Sequence, residues 1–286
     1  VRTARPRQWI KNLLVFAAPL AAGTIFDPHS LLLAVVAFVA FCLSASAVYL
    51  VNDSKDVVAD RAHPTKRARP IAAGIVPVGA AVSLAVVLFI AGLAVSALAS
   101  WPLVIVVAIY DIVQLAYCFW LKHVSLIDIA IVSSGFLLRM IAGGAATGVE
   151  LSQWFLLVAV FGSLLMVSGK RYAEILLDSA DGGQARKSLK DYTPSYLRFV
   201  WQSAAAILVL SYTQWAFSGD AGGDPLWISL SVVPFILAIF RYCQHIDRGD
   251  AEAPEDIALH DHGLQVMAVA WVAFLVVALY AAKLWS

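Results

Sequence analysis

Residues 31–60 read LLLAVVAFVAFCLSASAVYLVNDSKDVVAD, an uncharged run from Leu31 to Val51 that ends abruptly in the pattern N-D-x-x-D-x-x-x-D. A bilayer-spanning helix needs about 20 mostly apolar residues, and this run supplies them. A soluble helical bundle would show a polar stripe on most of its helices; neither Leu31 to Val51 nor Val78 to Ala99 offers one. The whole chain repeats the message. Of its 286 residues 61% are hydrophobic and 14% charged, against roughly a quarter charged in soluble domains. The expected fold class is therefore all-α and polytopic, a single integral membrane domain over 1–286. Nine segments qualify as spans: 10–26, 31–51, 76–99, 102–121, 125–147, 153–169, 197–217, 226–243 and 263–284, of which the first and sixth are short.

Lysine and arginine placement sets the orientation. With a cytoplasmic N-terminus, the cytoplasmic segments are 1–9, 52–75, 122–124, 170–196, 244–262 and the adjoining helix ends. They hold all but two of the 20 Lys and Arg residues, the exceptions being Arg139 and Lys283. The opposite loops, near 27–30, 100–101, 148–152 and 218–225, hold none. A multi-pass protein of the cell membrane is expected, with its C-terminus outside. Its function would lie on the cytoplasmic face, where only 52–75, 170–196 and 244–262 are long. The basic N-terminus is followed by no small-residue cleavage site, so the first apolar run reads as a retained helix. The chain opens on Val1, not Met, which leads us to expect further native residues before it. A net charge of +1 gives no case for a nucleic-acid partner. Cys42, Cys118 and Cys243 have neither metal-ligand nor disulfide spacing and read as small buried residues.

The acidic pattern carries the chemistry. If the second helix continues past the bilayer, Asn52, Asp56 and Asp60 fall at i, i+4 and i+8, with Asp53 beside them on one face. Carboxylates so close repel unless a cation sits among them. Hard oxygen donors around open positions suit Mg²⁺, which takes one or two carboxylates and completes its shell with substrate phosphate oxygens. Lys66, Arg67 and Arg69 follow closely enough to fold back over the acids. They read as phosphate ligands or as anchors to anionic lipid headgroups. Arg139, deep in the fifth segment, reads either as a structural pairing or as a lipid-phosphate contact. Gly143, Gly144 and Gly148 read as close helix packing. The stretch from Glu252 to Asp256, with His260, Asp261 and His262, reads as a solvated acidic loop.

With these residues in view, the chain resembles the UbiA superfamily of intramembrane prenyltransferases over essentially its whole length. The resemblance rests on the acidic motif, on Arg69-Pro70-Ile71-Ala72-Ala73-Gly74, and on the tyrosine-and-lysine stretch Ala116 to Lys122 with Tyr117. It implies nine helices around a central cavity under a cytoplasmic cap, and Mg²⁺-bound diphosphate on Asn52, Asp53, Asp56 and Asp60. One departure matters. Where typical members carry a second acidic motif, this chain reads Gly169-Lys170-Arg171-Tyr172-Ala173-Glu174, with further cations at Arg186, Lys187 and Lys190. That change, with Arg5-Pro6-Arg7-Gln8-Trp9-Ile10-Lys11-Asn12, resembles the branch that transfers phosphoribose to a polyprenyl phosphate for mycobacterial-type arabinan synthesis. The implied donor is phosphoribosyl diphosphate, the acceptor decaprenyl (polyprenyl) phosphate. Their several phosphates would be met by Lys11, Lys66, Arg67, Arg69, Lys122, Lys170 and Arg171, with Tyr117, Tyr172 and Glu174 as further substrate ligands. Two alternatives stay open at this point: an aromatic prenyltransferase using isoprenyl diphosphate, and a lipid carrier or transporter. The latter predicts inverted repeats and broken mid-membrane helices, and neither pattern is visible.

Overall fold

In the computed structural model, which describes residues 2–181, 191–219, 223–252 and 254–284, the uncharged run from Leu31 to Val51 lies within one helix, α2 (Pro28–Lys55). Its start is set by Asp27, whose carboxylate accepts from the Ser30 N–H at 2.7 Å, and by Pro28 in the first turn. Every regular element among the described residues is helical, as lipid demands of a chain whose backbone has no water to bond. After α2 come α3 (Val57–Ala62), α4 (Val78–Ala97), α5 (Trp101–Phe119), α6 (Ile127–Thr147), α7 (Gln153–Asp181), α8 (Pro194–Ser218), α9 (Pro225–Arg248), α10 (Pro254–His260) and α11 (His262–Leu284). Ahead of them lie a 3₁₀ helix, Pro6–Phe16, and the short α1 (Ala17–Ala21).

The expected nine spans need correction. Among the described residues, seven helices are long and apolar enough to cross a bilayer: α2, α4, α5, α6, α7, α9 and α11. The first expected segment is not one helix. Its Pro6–Phe16 half winds as 3₁₀, and a separate α-helix starts just before Pro19, a residue tolerated only in a first turn. We call Pro6–Phe16 the strap. The seventh segment is a 25-residue helix, α8, but Gln202, Ser203, Ser211, Tyr212, Thr213 and Gln214 make it less apolar than the seven. The sixth is longer than expected, since α7 continues to Asp181 and carries Lys170 to Glu174 within a helix. Arg186, Lys187 and Lys190 lie outside the described residues.

The chain divides into two compact units. The first joins residues 1–20, 24–122 and 138–150. Its core sets Val15 of the strap, Phe41 and Val48 of α2, Val107 and Tyr110 of α5, and Ala142 of α6 together. A second small cluster, Ala47, Leu50, Ile71, Ala81 and Ala85, fixes the loop after α3 against α2 and α4. The second unit joins 21–23, 123–137 and 151–286. Aromatic rings fill its core, with Tyr172, Trp201, Tyr212, Trp215 and Phe235 all buried. Here α7 and α9 approach closely at Gly169, where a Cβ would stand 2.6 Å from Ile246 Cδ1. Of the three glycines read as packing sites, Gly148 serves a turn instead: its φ is +72° and the space around it is open.

Candidate active site

The acidic motif straddles a helix break. α2 ends at Lys55, Asp56 takes φ −91° and ψ 9°, and α3 begins at Val57. Helical spacing nonetheless survives, because the Asp56 N–H donates to Asn52 O (3.0 Å) and the Asp60 N–H to Asp56 O (2.8 Å). The expected common face is therefore kept, with a bend at Asp56. Asp53 and Asp60 are buried, while Asn52 and Asp56 are half-buried.

Each carboxylate meets a cation. Arg5 Nη2 donates to both oxygens of Asp53, at 2.6 and 2.8 Å. Arg69 Nη1 spans Asp53 Oδ1 (3.2 Å) and Asp60 Oδ2 (2.7 Å). Lys122 forms an ion pair with Asp56. Three negative and three positive groups thus share one surface, and most of the cations stay partly wet. The loop after α3 is pinned by Arg61 Nε donating to Ala72 O at 3.0 Å, which holds Arg69 over the motif. The Asn52 side chain has no hydrogen-bond partner among the described residues.

Of the other expected site residues in this unit, Lys11 is half-buried on the strap and Tyr117 half-buried on α5. Lys66 and Arg67 ride a single 3₁₀ turn, Lys66–Ala68, with Arg67 exposed. Among the described residues, no three His, Cys, Asp or Glu side chains converge on one point. The donor set still suits a hard cation that needs only one or two carboxylates from the protein: Asn52 offers a free amide oxygen, and Asp53, Asp56 and Asp60 are oxygen donors already facing positive charge.

In the second unit the basic motif is arranged differently. Arg171 is 3% exposed. Its Nε donates to Asp128 Oδ2 (2.8 Å), its Nη2 to Asp128 Oδ1 (3.3 Å) and its Nη1 to Glu174 Oε2 (2.8 Å). Tyr172 is buried edge-on against Trp201, and its hydroxyl accepts from Arg198 Nη2 at 2.6 Å. Lys170, half-buried on α7, has no partner among the described residues. Leu126, beside Asp128, holds a positive φ of 65°, and its N–H donates to the Tyr192 hydroxyl.

The expected solvated acidic loop is in part a knot. Asp261 is buried; it caps α11 through the Leu264 N–H (2.8 Å) and meets His245 and Arg241 Nε on the same oxygen. The His245 bond, then the Leu264 N–H and Arg241, hold its carboxyl well below the usual carboxylate range. His260 and His262 are exposed and make only local bonds, to Asp256 O and Gln265 Oε1.

Sequence reasoning missed Arg5, Asn12, Asp128 and Arg198 as site or supporting residues. Arg5 had a signal, standing in a quoted branch-like stretch. Asp128 had none, being a lone acid at a helix start.

The described residues are all-helical, seven of their helices are long and apolar enough to cross a membrane, and an Asp-rich motif is gathered under three cations. The chain belongs to the UbiA prenyltransferase family, whose profile matches residues 13–264. It is 55% identical over 289 residues to a decaprenyl-phosphate phosphoribosyltransferase of Corynebacterium glutamicum, covering 98% of this chain and 86% of that one. A protein of the same name from Mycolicibacterium smegmatis is 53% identical over 292 residues, covering 98% and 92%. Among solved structures, a UbiA homolog from Archaeoglobus fulgidus bound to DMAPP and Mg²⁺ superposes with a TM-score of 0.75 at 18% identity, covering 96% of this chain and 95% of that one. The same homolog is also known bound to Cd²⁺. That likeness fixes the fold as UbiA-like.

Proposed function

We propose that this chain transfers 5-phosphoribose from phosphoribosyl diphosphate to decaprenyl, or a similar polyprenyl, phosphate, releasing diphosphate. The observation that carries the reading is near-full-length identity of 53–55% with relatives bearing the name decaprenyl-phosphate phosphoribosyltransferase. The proposal takes the whole of 1–286 as one catalytic domain.

The charge arrangement supports it. Loss of diphosphate leaves oxocarbenium character at ribose C1, so the leaving group must be stabilised as its charge develops. Asn52, Asp53, Asp56 and Asp60 would hold Mg²⁺, which when bound supplies electrophilic stabilisation of phosphate oxygens. Arg5, Arg69 and Lys122 then have a second role. They neutralise the carboxylates when no anion is present, and turn to phosphate oxygens when the donor arrives. The acceptor is a phosphate with a second pKa near 6, already largely dianionic, so it needs positioning more than deprotonation. Attack opposite the leaving group inverts C1, from α donor to β product. Lys170, Lys11, Lys66 and Arg67 would meet the 5-phosphate and the lipid phosphate.

The arginine and lysine distribution supports a cell-membrane protein whose reaction faces the cytoplasm, and the mycobacterial relatives support a place in arabinan-precursor synthesis for the cell wall. Membranes containing the protein, incubated with ribose-labelled phosphoribosyl diphosphate, decaprenyl phosphate and Mg²⁺, should yield lipid-extractable label. No extractable label, with the protein intact, would refute the reading.

A further inference from the structure

Arg139 lies within bilayer-spanning α6, is 8% exposed, and has no part in the chemistry described above. An intramembrane arginine is costly and is retained for a reason. Its Nε donates to Asn12 Oδ1 at 2.7 Å and its Nη2 to the Tyr110 hydroxyl at 3.1 Å. The guanidinium also stands over the rings of Tyr110 and Phe41, 4.9 and 5.5 Å from their centroids. Asn12 is fully buried, and its Nδ2 donates to Cys42 Sγ at 3.2 Å.

One turn along α6, Gly143 also touches the strap. A Cβ there would stand 1.9 Å from the Val15 carbonyl oxygen, so only glycine permits the approach. Arg139 and Gly143 are i and i+4 on one helical face. Asn12 and Val15 are i and i+3, positions that eclipse in a 3₁₀ helix. Two matched pairs therefore seat the strap on α6. At its other end is Arg5, with φ 49°, a left-handed backbone uncommon outside glycine, and with both Asp53 oxygens on its guanidinium. Between the ends, Trp9 Nε1 donates to Ser46 Oγ (3.1 Å), and Ser46 Oγ bonds Ala4 O (3.1 Å). Seven residues at a rise of about 2.0 Å separate Arg5 from Asn12 by about 14 Å. The strap is a short, bonded lever between the membrane interior and the acidic motif.

We infer that Arg139 is a positioning residue: with Gly143 it seats the strap so that Arg5 stands at Asp53, and so sets how tightly the donor's diphosphate is held. This rests on the reading that the acidic motif receives a diphosphate. The test uses inorganic diphosphate with Mg²⁺, titrated calorimetrically into the purified full-length protein. That probe is common to any diphosphate donor, so failure of the phosphoribosyl reading leaves the test intact. Arg139→Met and Gly143→Ala should each weaken diphosphate binding about tenfold, the loss of one charge-assisted hydrogen bond. In an Arg5→Ala background, neither should weaken it further. Unchanged binding, or an equal loss in both backgrounds, overturns the inference. So does weakened decaprenyl-phosphate binding with diphosphate binding intact, which would make Arg139 a lipid-phosphate ligand. If Arg139→Met fails to fold, Asn12→Ala breaks the same contact without removing the buried cation, and the same two-background comparison decides.

Discussion

The acidic motif at the end of α2 and the basic motif on α7 are equally dense in charge but hold it differently. Around Asp53, Asp56 and Asp60 the cation side chains are 17–26% exposed. Partners that wet can be exchanged for a ligand without leaving a bare charge in a dry interior. The Arg171–Asp128 pair is 4% and 0% exposed, and a buried pair of that kind resists separation. Within the basic motif, then, the proposed reading makes half-buried Lys170 the cation open to a substrate and Arg171 the fixed one. Burial decides which charges a substrate can claim, and residue type alone does not reveal it.

The largest effect expected from this contrast is on turnover. Asp53→Asn and Asp56→Asn should each lower it at least about a hundredfold, as expected when a developing charge loses its stabiliser. They should differ in stability. Asp53 is buried under two guanidinium groups, so its replacement should also lower the melting temperature, whereas half-buried Asp56 holds one lysine and should not. Near-wild-type turnover in either would remove the motif from the chemistry.

The next effect separates neighbours. Arg171→Ala removes the buried cation that Asp128 faces, a loss of about 3–5 kcal/mol of stability. Lys170→Ala should leave thermal stability unchanged but raise the Michaelis constant for donor or acceptor about tenfold or more, one charge-assisted contact being about 1.5–3 kcal/mol. Thermal melts with steady-state kinetics on both variants measure this. The reverse pattern would make Arg171 the phosphate ligand after all.

Much of this was legible in sequence because lipid imposes a simple rule. Uncharged runs had to be helices, and the acids after Val51 had to leave the bilayer at a helix end. The strap was not legible. Its apolar residues look like any other span, and its 3₁₀ winding is seated on Arg139 and Gly143, more than a hundred residues away. Pairings were equally hidden: Arg5 and Asp53 lie 48 residues apart, Arg171 and Asp128 43. Lys170 and Arg171 look alike as adjacent cations, yet successive helical residues point in different directions, and among the described residues only Arg171 meets an acid.

Smaller effects concern sidedness and acid stability. In a background lacking Cys42, Cys118 and Cys243, Thr65→Cys and Asp191→Cys should resist an impermeant thiol reagent in intact cells and react after permeabilisation, while Glu150→Cys reacts in both. Labelling of Thr65→Cys in intact cells would reverse the orientation. Asp261 has its carboxyl lowered chiefly by His245. A depressed folded value stabilises above the ordinary carboxylate pKa of about 4 and loses that contribution as pH falls through the folded value. The melting-temperature gap between wild type and Asp261→Asn should therefore narrow below about pH 4. A gap that widens there would contradict the ionised knot.

Donor choice is tested most directly by competition. Purified protein would receive phosphoribosyl diphosphate and an isoprenyl diphosphate at equal concentration, with decaprenyl phosphate, an aromatic acid and Mg²⁺ all present. Mass spectrometry of the extracted lipids reads the product. The account predicts decaprenyl phosphate carrying one added phosphoribosyl group and an untouched aromatic acid; a prenylated aromatic acid with unmodified decaprenyl phosphate would contradict it.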